Sequence, residues 1–118
     1  MQPKDILGRA GEDLAARYLN SQGLIILARN WRCRAGEIDL VAQDGDTVVF
    51  CEVKTRSTDN FDGPLAAITP RRLRRLEFLA QIYVSSHGLT RYWTRLDGIG
   101  IVHTASSGPR ITHVQGLH

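Results

Sequence analysis

Gly36-Glu37-Ile38-Asp39-Leu40-Val41-Ala42-Gln43, then Asp44-Gly45-Asp46, then Thr47-Val48-Val49-Phe50-Cys51-Glu52-Val53-Lys54-Thr55 spells two apolar strands around a turn, with charges set inside the strands. Asp-Gly between two β-branched and aromatic runs is a strong hairpin signal. Side chains alternate across a strand, so residues two apart share a face. On that rule Glu37, Asp39 and Val41 share one face of the first strand, and Ile38, Leu40 and Ala42 the other. In the second strand Val48, Phe50, Glu52 and Lys54 share a face, opposite Val49, Cys51 and Val53. A two-residue turn at Gly45-Asp46 brings Gln43 beside Val48, and hence Asp39 opposite Glu52, with Cβ atoms about 5 Å apart.

Two carboxylates that close repel each other unless a cation lies between them. Oxygen donors suit Mg²⁺ or Mn²⁺. The carbonyl of Val53 is a candidate further ligand. Lys54, one strand step beyond Glu52, is placed to orient a water or to neutralise charge developing on a phosphoryl group. The same spacing also fits a cross-strand salt-bridge network of Asp39, Lys54 and Glu52 on a solvated face, so the hairpin alone leaves both readings open.

Outward from the hairpin, Asp5 to Gln22 reads as a helix, with Leu7, Ala10, Leu14 and Tyr18 as its apolar stripe, Asp5 as cap and Gly23 as its end. Leu24 to Ala28 is a short strand, and Asn30 to Ala35 a polar, basic connection. The strands proper span Glu37 to Gln43 and Thr47 to Thr55. Beyond them, Arg56 to Ala67 is a loop carrying Gly63-Pro64. Thr69-Pro70 caps and opens a second helix running to about His87, closed by Gly88. Arg91 to His103 reads as a fourth strand loosened by Gly98 and Gly100, Ser106-Ser107-Gly108-Pro109 as a turn, and Arg110 to Val114 as a last strand. The order α-β-β-β-α-β-β is that of an α/β protein, a mixed sheet flanked by helices.

The chain has 118 residues, enough for one domain with one core. The expected domain is 1–118, its core about 5–103, with 104–118 a C-terminal extension or edge strand. Cys33 and Cys51 show no metal-binding or disulfide spacing, which points to a reducing, cytoplasmic setting. Neither a signal peptide nor a membrane span is legible, so no membrane partner is expected. The net charge is +3, and 13 of the 15 basic residues are arginine. Arginine's planar fork suits phosphate, although composition bias explains arginine richness equally well.

Glu12 lies two turns into the first helix, beside Gly8, Ala15, Ala16 and Leu19. An acid on that small-residue stripe points toward packing, as a third carboxylate leaning on the sheet. The plainer reading, a favourable helix-dipole charge, is weak that far from the terminus. Arg71, Arg72, Arg74 and Arg75 crowd the start of the second helix, where cations oppose the dipole; a phosphate received there would explain them, as would a solvated face. Arg32, Arg34 and Arg56 flank the site strands as further backbone-tracking candidates. Trp31 fits a core role better than base stacking, as do Tyr92 and Trp93; the histidines show no ligand spacing and read as surface or capping residues.

Gly8-x-x-Gly11-Glu12, Asn30-Trp31-Arg32-Cys33-Arg34-x-Gly36-Glu37-Ile38-Asp39-Leu40 and Phe50-x-Glu52-Val53-Lys54-Thr55-Arg56, in that order, resemble the YraN-like family of small bacterial proteins. That family is similar to the PD-(D/E)xK nucleases, near the Holliday-junction resolvases. The resemblance covers about Asp5 to Ile101. It implies a restriction-endonuclease-like core in which Glu12 is the N-terminal acid, Asp39 the central metal ligand, Glu52 the second ligand and Lys54 the catalytic lysine. Glu37 belongs to the YraN-like pattern without a clear resolvase counterpart. Relatives usually carry a lysine and often a glutamine in the second helix, and Arg-Phe-Asp near the fourth strand. Here these are Arg71-Arg72-Leu73-Arg74-Arg75 and Arg95-Leu96-Asp97. The implied function is divalent-metal-dependent hydrolysis of DNA, branched or distorted DNA included. Resolvases act as dimers on two-fold junctions, so a homodimer is an expectation whose surface the sequence does not mark. The alternatives are a nucleic-acid-binding protein that keeps the nuclease fold without cutting, and a protein–protein interaction domain whose charges are ordinary surface, which the basic, arginine-clustered composition disfavours.

Overall fold

The turn fixes the hairpin as its length requires. In the computed structural model, which describes residues 3–56, 68–104 and 108–118, Gln43 pairs with Val48 and Asp44 with Thr47, and Gly45 takes the positive φ of 62° in the two-residue turn. The elements are α1 (Pro3–Ser21), β1 (Ile25–Cys33), β2 (Gly36–Asp44), β3 (Thr47–Arg56), α2 (Pro70–Ser86), β4 (Trp93–Thr104) and β5 (Gly108–Val114). The five strands lie in sequence order, antiparallel except for the parallel pair β3 and β4. A parallel pair needs a crossover, and α2 supplies it. This is the expected α-β-β-β-α-β-β order, a mixed sheet flanked by helices consistent with a restriction-endonuclease-like core. Of the loop assigned to Arg56–Ala67, Arg56 ends β3 and 57–67 lie outside the described residues; of the Ser106–Pro109 turn, 106–107 lie outside them, and Gly108 and Pro109 open β5 instead.

Each helix covers one face. Ala15, Ala16 and Leu19 of α1 pack on Leu40, Ala42, Val49, Cys51, Ile99 and Ile101. Leu76, Leu79, Ala80 and Tyr83 of α2 pack on Ile38, Val41, Val48 and Phe50. Alternation holds along β3, so Glu52 and Lys54 follow Phe50 onto the α2 face. Cys51 is a buried free thiol of the α1-side core, as its position implied. In β2 the alternation fails at Ile38. Ile38 sits with Val41 on the α2 side, not with Leu40 and Ala42. The neighbouring strand is irregular at the same level: Arg29 pairs with Leu40 and Trp31 with Ile38, while Asn30 between them has φ 50°, the one non-glycine positive φ among the described residues. Asparagine tolerates that conformation because its short amide bonds locally.

Other expectations need correcting. The "connection" Asn30 to Ala35 is mostly strand, since Arg32 pairs with Glu37 and Cys33 with Gly36; tertiary pairing overrides its polar composition. The first helix begins at Pro3, so Asp5 is inside it rather than capping it. Its buried line is Gly11, Ala15 and Leu19; Leu14 and Tyr18 flank that line, and Ala10 faces solvent. Trp31 is a packing residue, edge-on to Tyr83 at 5.2 Å, and Tyr92 packs on the same cluster. Trp93 is not in the core: it stands 73% exposed at the start of β4. His113 is not a surface histidine. Its Nε2–H donates to Asp97 at 2.8 Å and its Nδ1 meets the Tyr18 hydroxyl at 3.1 Å.

That histidine belongs to a hub. Asp97 is fully buried, receives Arg95 through Nε (2.9 Å) and Nη2 (3.1 Å), and accepts the backbone amide of Gly116 at 3.1 Å. The Arg95-Leu96-Asp97 run is therefore an ion pair built within one strand, and it ties β4, β5, α1 and residues 116–117 together, with Leu117 also donating to the Leu96 carbonyl.

Gly11 sets how closely α1 lies on the sheet. A Cβ added there would stand 2.1 Å from Thr55 Oγ1 and 3.1 Å from Thr55 Cβ and Cγ2. Gly11→Ala gains helix propensity yet is expected to lower stability by roughly 1–3 kcal/mol, because overpacking outweighs propensity. Urea unfolding measures this, and Thr55→Ala in the same chain should recover part of the loss. An undiminished midpoint in Gly11→Ala would show that α1 is free to lift.

Candidate functional site

The β2–β3 ladder runs from the turn to the Leu40–Cys51 pair. Beyond that pair, the Asp39 side chain enters the ladder: its Oδ2 accepts the amide N–H of Val53 at 2.8 Å. Val53 thus reaches Asp39 through its amide, which leaves its carbonyl, the expected further ligand, out of that bond. Asp39, Glu52 and Glu37 line one cavity of about 550 Å³ beneath the first turns of α2, roofed by Arg71, Arg72 and Arg75 over Leu76 and Leu79. The expected convergence of Asp39 and Glu52 on one side is therefore met: both lie on the α2 side with Val41 and Phe50, and it is Ile38 that departs from alternation.

Burial, first of all, lifts the Asp39 carboxyl from the usual 3.8 to about 7; the Val53 amide opposes this, while the charges of Glu52, Glu12 and Glu37 add to it. Glu52 is compensated. Its Oε1 takes Lys54 Nζ at 3.2 Å and Arg72 Nη2 at 3.4 Å. On the neighbouring strand the partners of Glu52 and Lys54 are Gly98 and Gly100. On the β4 side the sheet therefore carries no side chain beside either charge.

Glu12 is not in this cavity. It lies on the α1 side of the sheet, where its Oε1 accepts Asn30 Nδ2 at 3.0 Å. Its field reaches Asp39, but its carboxylate does not line the same space. Asn30 is the residue sequence reading passed over. Its signal was an asparagine inside a strand, a residue type disfavoured there unless it bends the backbone.

The arginines divide. Helical phase puts Arg71, Arg72 and Arg75 over the cavity, whereas Arg74 points with Leu73 and Glu77 toward a separate hollow lined by Thr69, Pro70 and Leu117. Arg75 donates to the Ala35 carbonyl at 3.1 Å and covers Gly36. Arg32 is paired with Glu37 at 2.9 Å, Arg56 donates to the Thr55 carbonyl at 3.2 Å, and Arg34 is exposed on the β1–β2 turn. Arg74 thus falls outside the expected set of cavity-facing cations.

Among the described residues no three acidic, histidine or cysteine side chains form a ready metal cage. The donor set is a carboxylate pair with Glu37 at its edge. This fits Mg²⁺, which keeps several waters and is usually held by one or two carboxylates plus substrate phosphate. Burial, chiefly, raises the Asp39 carboxyl, with the neighbouring carboxylates adding to it, and a cation bound there would favour its charged form. No helix among the described residues is long and apolar enough to cross a membrane.

A sequence model of the Uncharacterised protein family UPF0102 matches residues 11–101. The chain is 46% identical to a UPF0102 protein of Acidothermus cellulolyticus, over 96% of this chain and 93% of that protein. It is 47% identical to a UPF0102 protein of Streptomyces griseus over 99% of both chains, and 46% identical to a UPF0102 protein of Frankia casuarinae over 98% of both. These matches support the YraN-like resemblance of the three motif blocks, and the names of these relatives state no activity.

Proposed function

We propose that this chain, which belongs to the Uncharacterised protein family UPF0102, hydrolyses DNA phosphodiester bonds with a divalent cation. The observation that carries the reading is the single cavity holding Asp39 and Glu52 under three arginines, with Lys54 on Glu52. Asp39 and Glu52 are the residues that would hold Mg²⁺ or Mn²⁺. The cation supplies polarisation of a phosphoryl oxygen and acidification of water. Lys54 Nζ orients the attacking water and donates to charge developing on the phosphoryl oxygens. The water oxygen bonds to phosphorus as one of its protons passes to bulk solvent, and the bond from phosphorus to the leaving oxygen breaks with its electron pair on that oxygen, which takes up a proton from solvent. Arg71, Arg72 and Arg75 hold flanking phosphates. Glu12, anchored by Asn30, acts on Asp39 through its charge. The resolvase-like resemblance adds branched or distorted DNA as substrate and a homodimer as the acting form.

A second reading is favoured by the ion pairs on Glu52 and by the incomplete cage: a nucleic-acid-binding protein that retains the fold without cutting. One assay separates the two. Purified protein is incubated with plasmid, single-stranded and four-way-junction DNA in Mg²⁺ or Mn²⁺. Cleavage is expected in the wild type, and Lys54→Ala should slow it by about 100-fold or more. Absent cleavage on every substrate, or equal cleavage by Lys54→Ala, removes the hydrolytic reading. DNA binding that persists and weakens steeply with salt then leaves the second.

A further inference from the structure

We propose that Arg72 has two positions: it neutralises Glu52 in the cation-free protein, and it is released to a nucleic-acid phosphate once Asp39 and Glu52 hold a divalent cation. The inference rests on the metal-site part of the reading above but does not require that the protein cut. Both cations on Glu52 address the same oxygen, Oε1. Lys54 comes from two residues along the same strand, and its side chain is 14% exposed; it is a fixed partner. Arg72 comes from α2 across the cavity, and its side chain is 49% exposed. Its backbone is anchored, since its amide donates to the capping Thr69 Oγ1 at 3.2 Å. Any movement is therefore confined to the side chain.

A divalent cation on Glu52 would place two further positive groups within a few ångströms of it, and like charges that close repel. The long, half-exposed guanidinium is the one that can leave. The roof it returns to lies over the first turn of α2, where an anion is favoured, and its planar fork matches two phosphate oxygens. The ion pair therefore works as a plug on the empty site. Cation and nucleic acid then promote each other's binding, and linkage makes the effect equal in both directions.

The test uses Ca²⁺ and a short labelled DNA duplex. Calorimetry gives Ca²⁺ affinity, and anisotropy gives duplex affinity with and without Ca²⁺. In the wild type, Ca²⁺ should tighten duplex binding by roughly tenfold. In Arg72→Gln, Ca²⁺ should bind the free protein roughly threefold or more tighter, because the plug is gone. Duplex binding in Ca²⁺ should weaken, and the enhancement by Ca²⁺ should shrink severalfold. Arg71→Gln removes the same charge from the same roof and should weaken duplex binding while keeping the enhancement.

The proposal is overturned if Arg72→Gln binds Ca²⁺ no tighter, keeps the full enhancement, or behaves as Arg71→Gln does. It also falls if the wild type binds no Ca²⁺. Coupling without cleavage would sink hydrolysis and leave Arg72's role intact. Cleavage with unaltered coupling in Arg72→Gln would do the reverse.

Discussion

Asp39→Asn is expected to lower DNA cleavage by about 100-fold or more and, at the same time, to make the protein more stable at mildly alkaline pH. The first effect follows from its proposed part in holding the cation, the second from a carboxyl held near 7. The folded state keeps a proton on Asp39 that the unfolded chain has lost, so stability falls as pH rises from the unfolded value near 4 to about 7, and is level above it. At roughly 1.4 kcal/mol per pH unit, discounted for partial exposure, the ionised Asp39 costs on the order of 2–4 kcal/mol by about pH 8. Asparagine keeps an oxygen for the Val53 amide and carries no charge, so its melting temperature should exceed the wild type's by several degrees there and match it near pH 4. Added Mg²⁺ should raise the wild-type melting temperature at alkaline pH and leave the variant's unmoved. Thermal unfolding across pH, with and without Mg²⁺, reads all of this. A wild-type curve flat between pH 4 and 7 would remove the explanation.

The second large effect is structural. Asp97→Ala should cost about 3–5 kcal/mol, because it strands a part-buried guanidinium, a histidine N–H and the Gly116 amide together. Among the described residues Arg95 retains the more distant Asp44, at 3.5 Å, as its acidic partner. Asp97→Asn should fall between the wild type and alanine, since it still accepts one hydrogen bond but leaves the arginine uncompensated. Denaturant midpoints measure the loss. Hydrogen exchange should show β5 and residues 116–117 freed first. A loss below 1 kcal/mol in the alanine variant would mean that the hub is not holding the C-terminal segment.

The parts of this molecule that were legible in sequence are those decided locally. Two turn residues between apolar runs leave one register, and Gln43 to Val48 follows from it, as do the helix cap at Thr69 and the face shared by Phe50, Glu52 and Lys54. What was hidden depends on partners far along the chain. His113 looked idle because its partner, Asp97, lies sixteen positions away on another strand. Glu12 was legible as a packed acid, but its tether is Asn30, whose left-handed backbone no periodicity announces. Strict alternation placed Ile38 on the wrong face because that same irregular level interrupts both strands. Arg74 looked like its neighbours in composition; the phase of the helix turns it away.

The parting of β2 and β3 has a consequence beyond geometry. A sheet normally works as a dielectric wall between its two layers, its peptide groups satisfied by one another. Here the wall has a window at Asp39, where a carboxylate replaces a backbone partner and feels Glu12 from one layer and Glu52 from the other. Charge placed on α1 is therefore felt by a carboxyl in a cavity that α1 does not line.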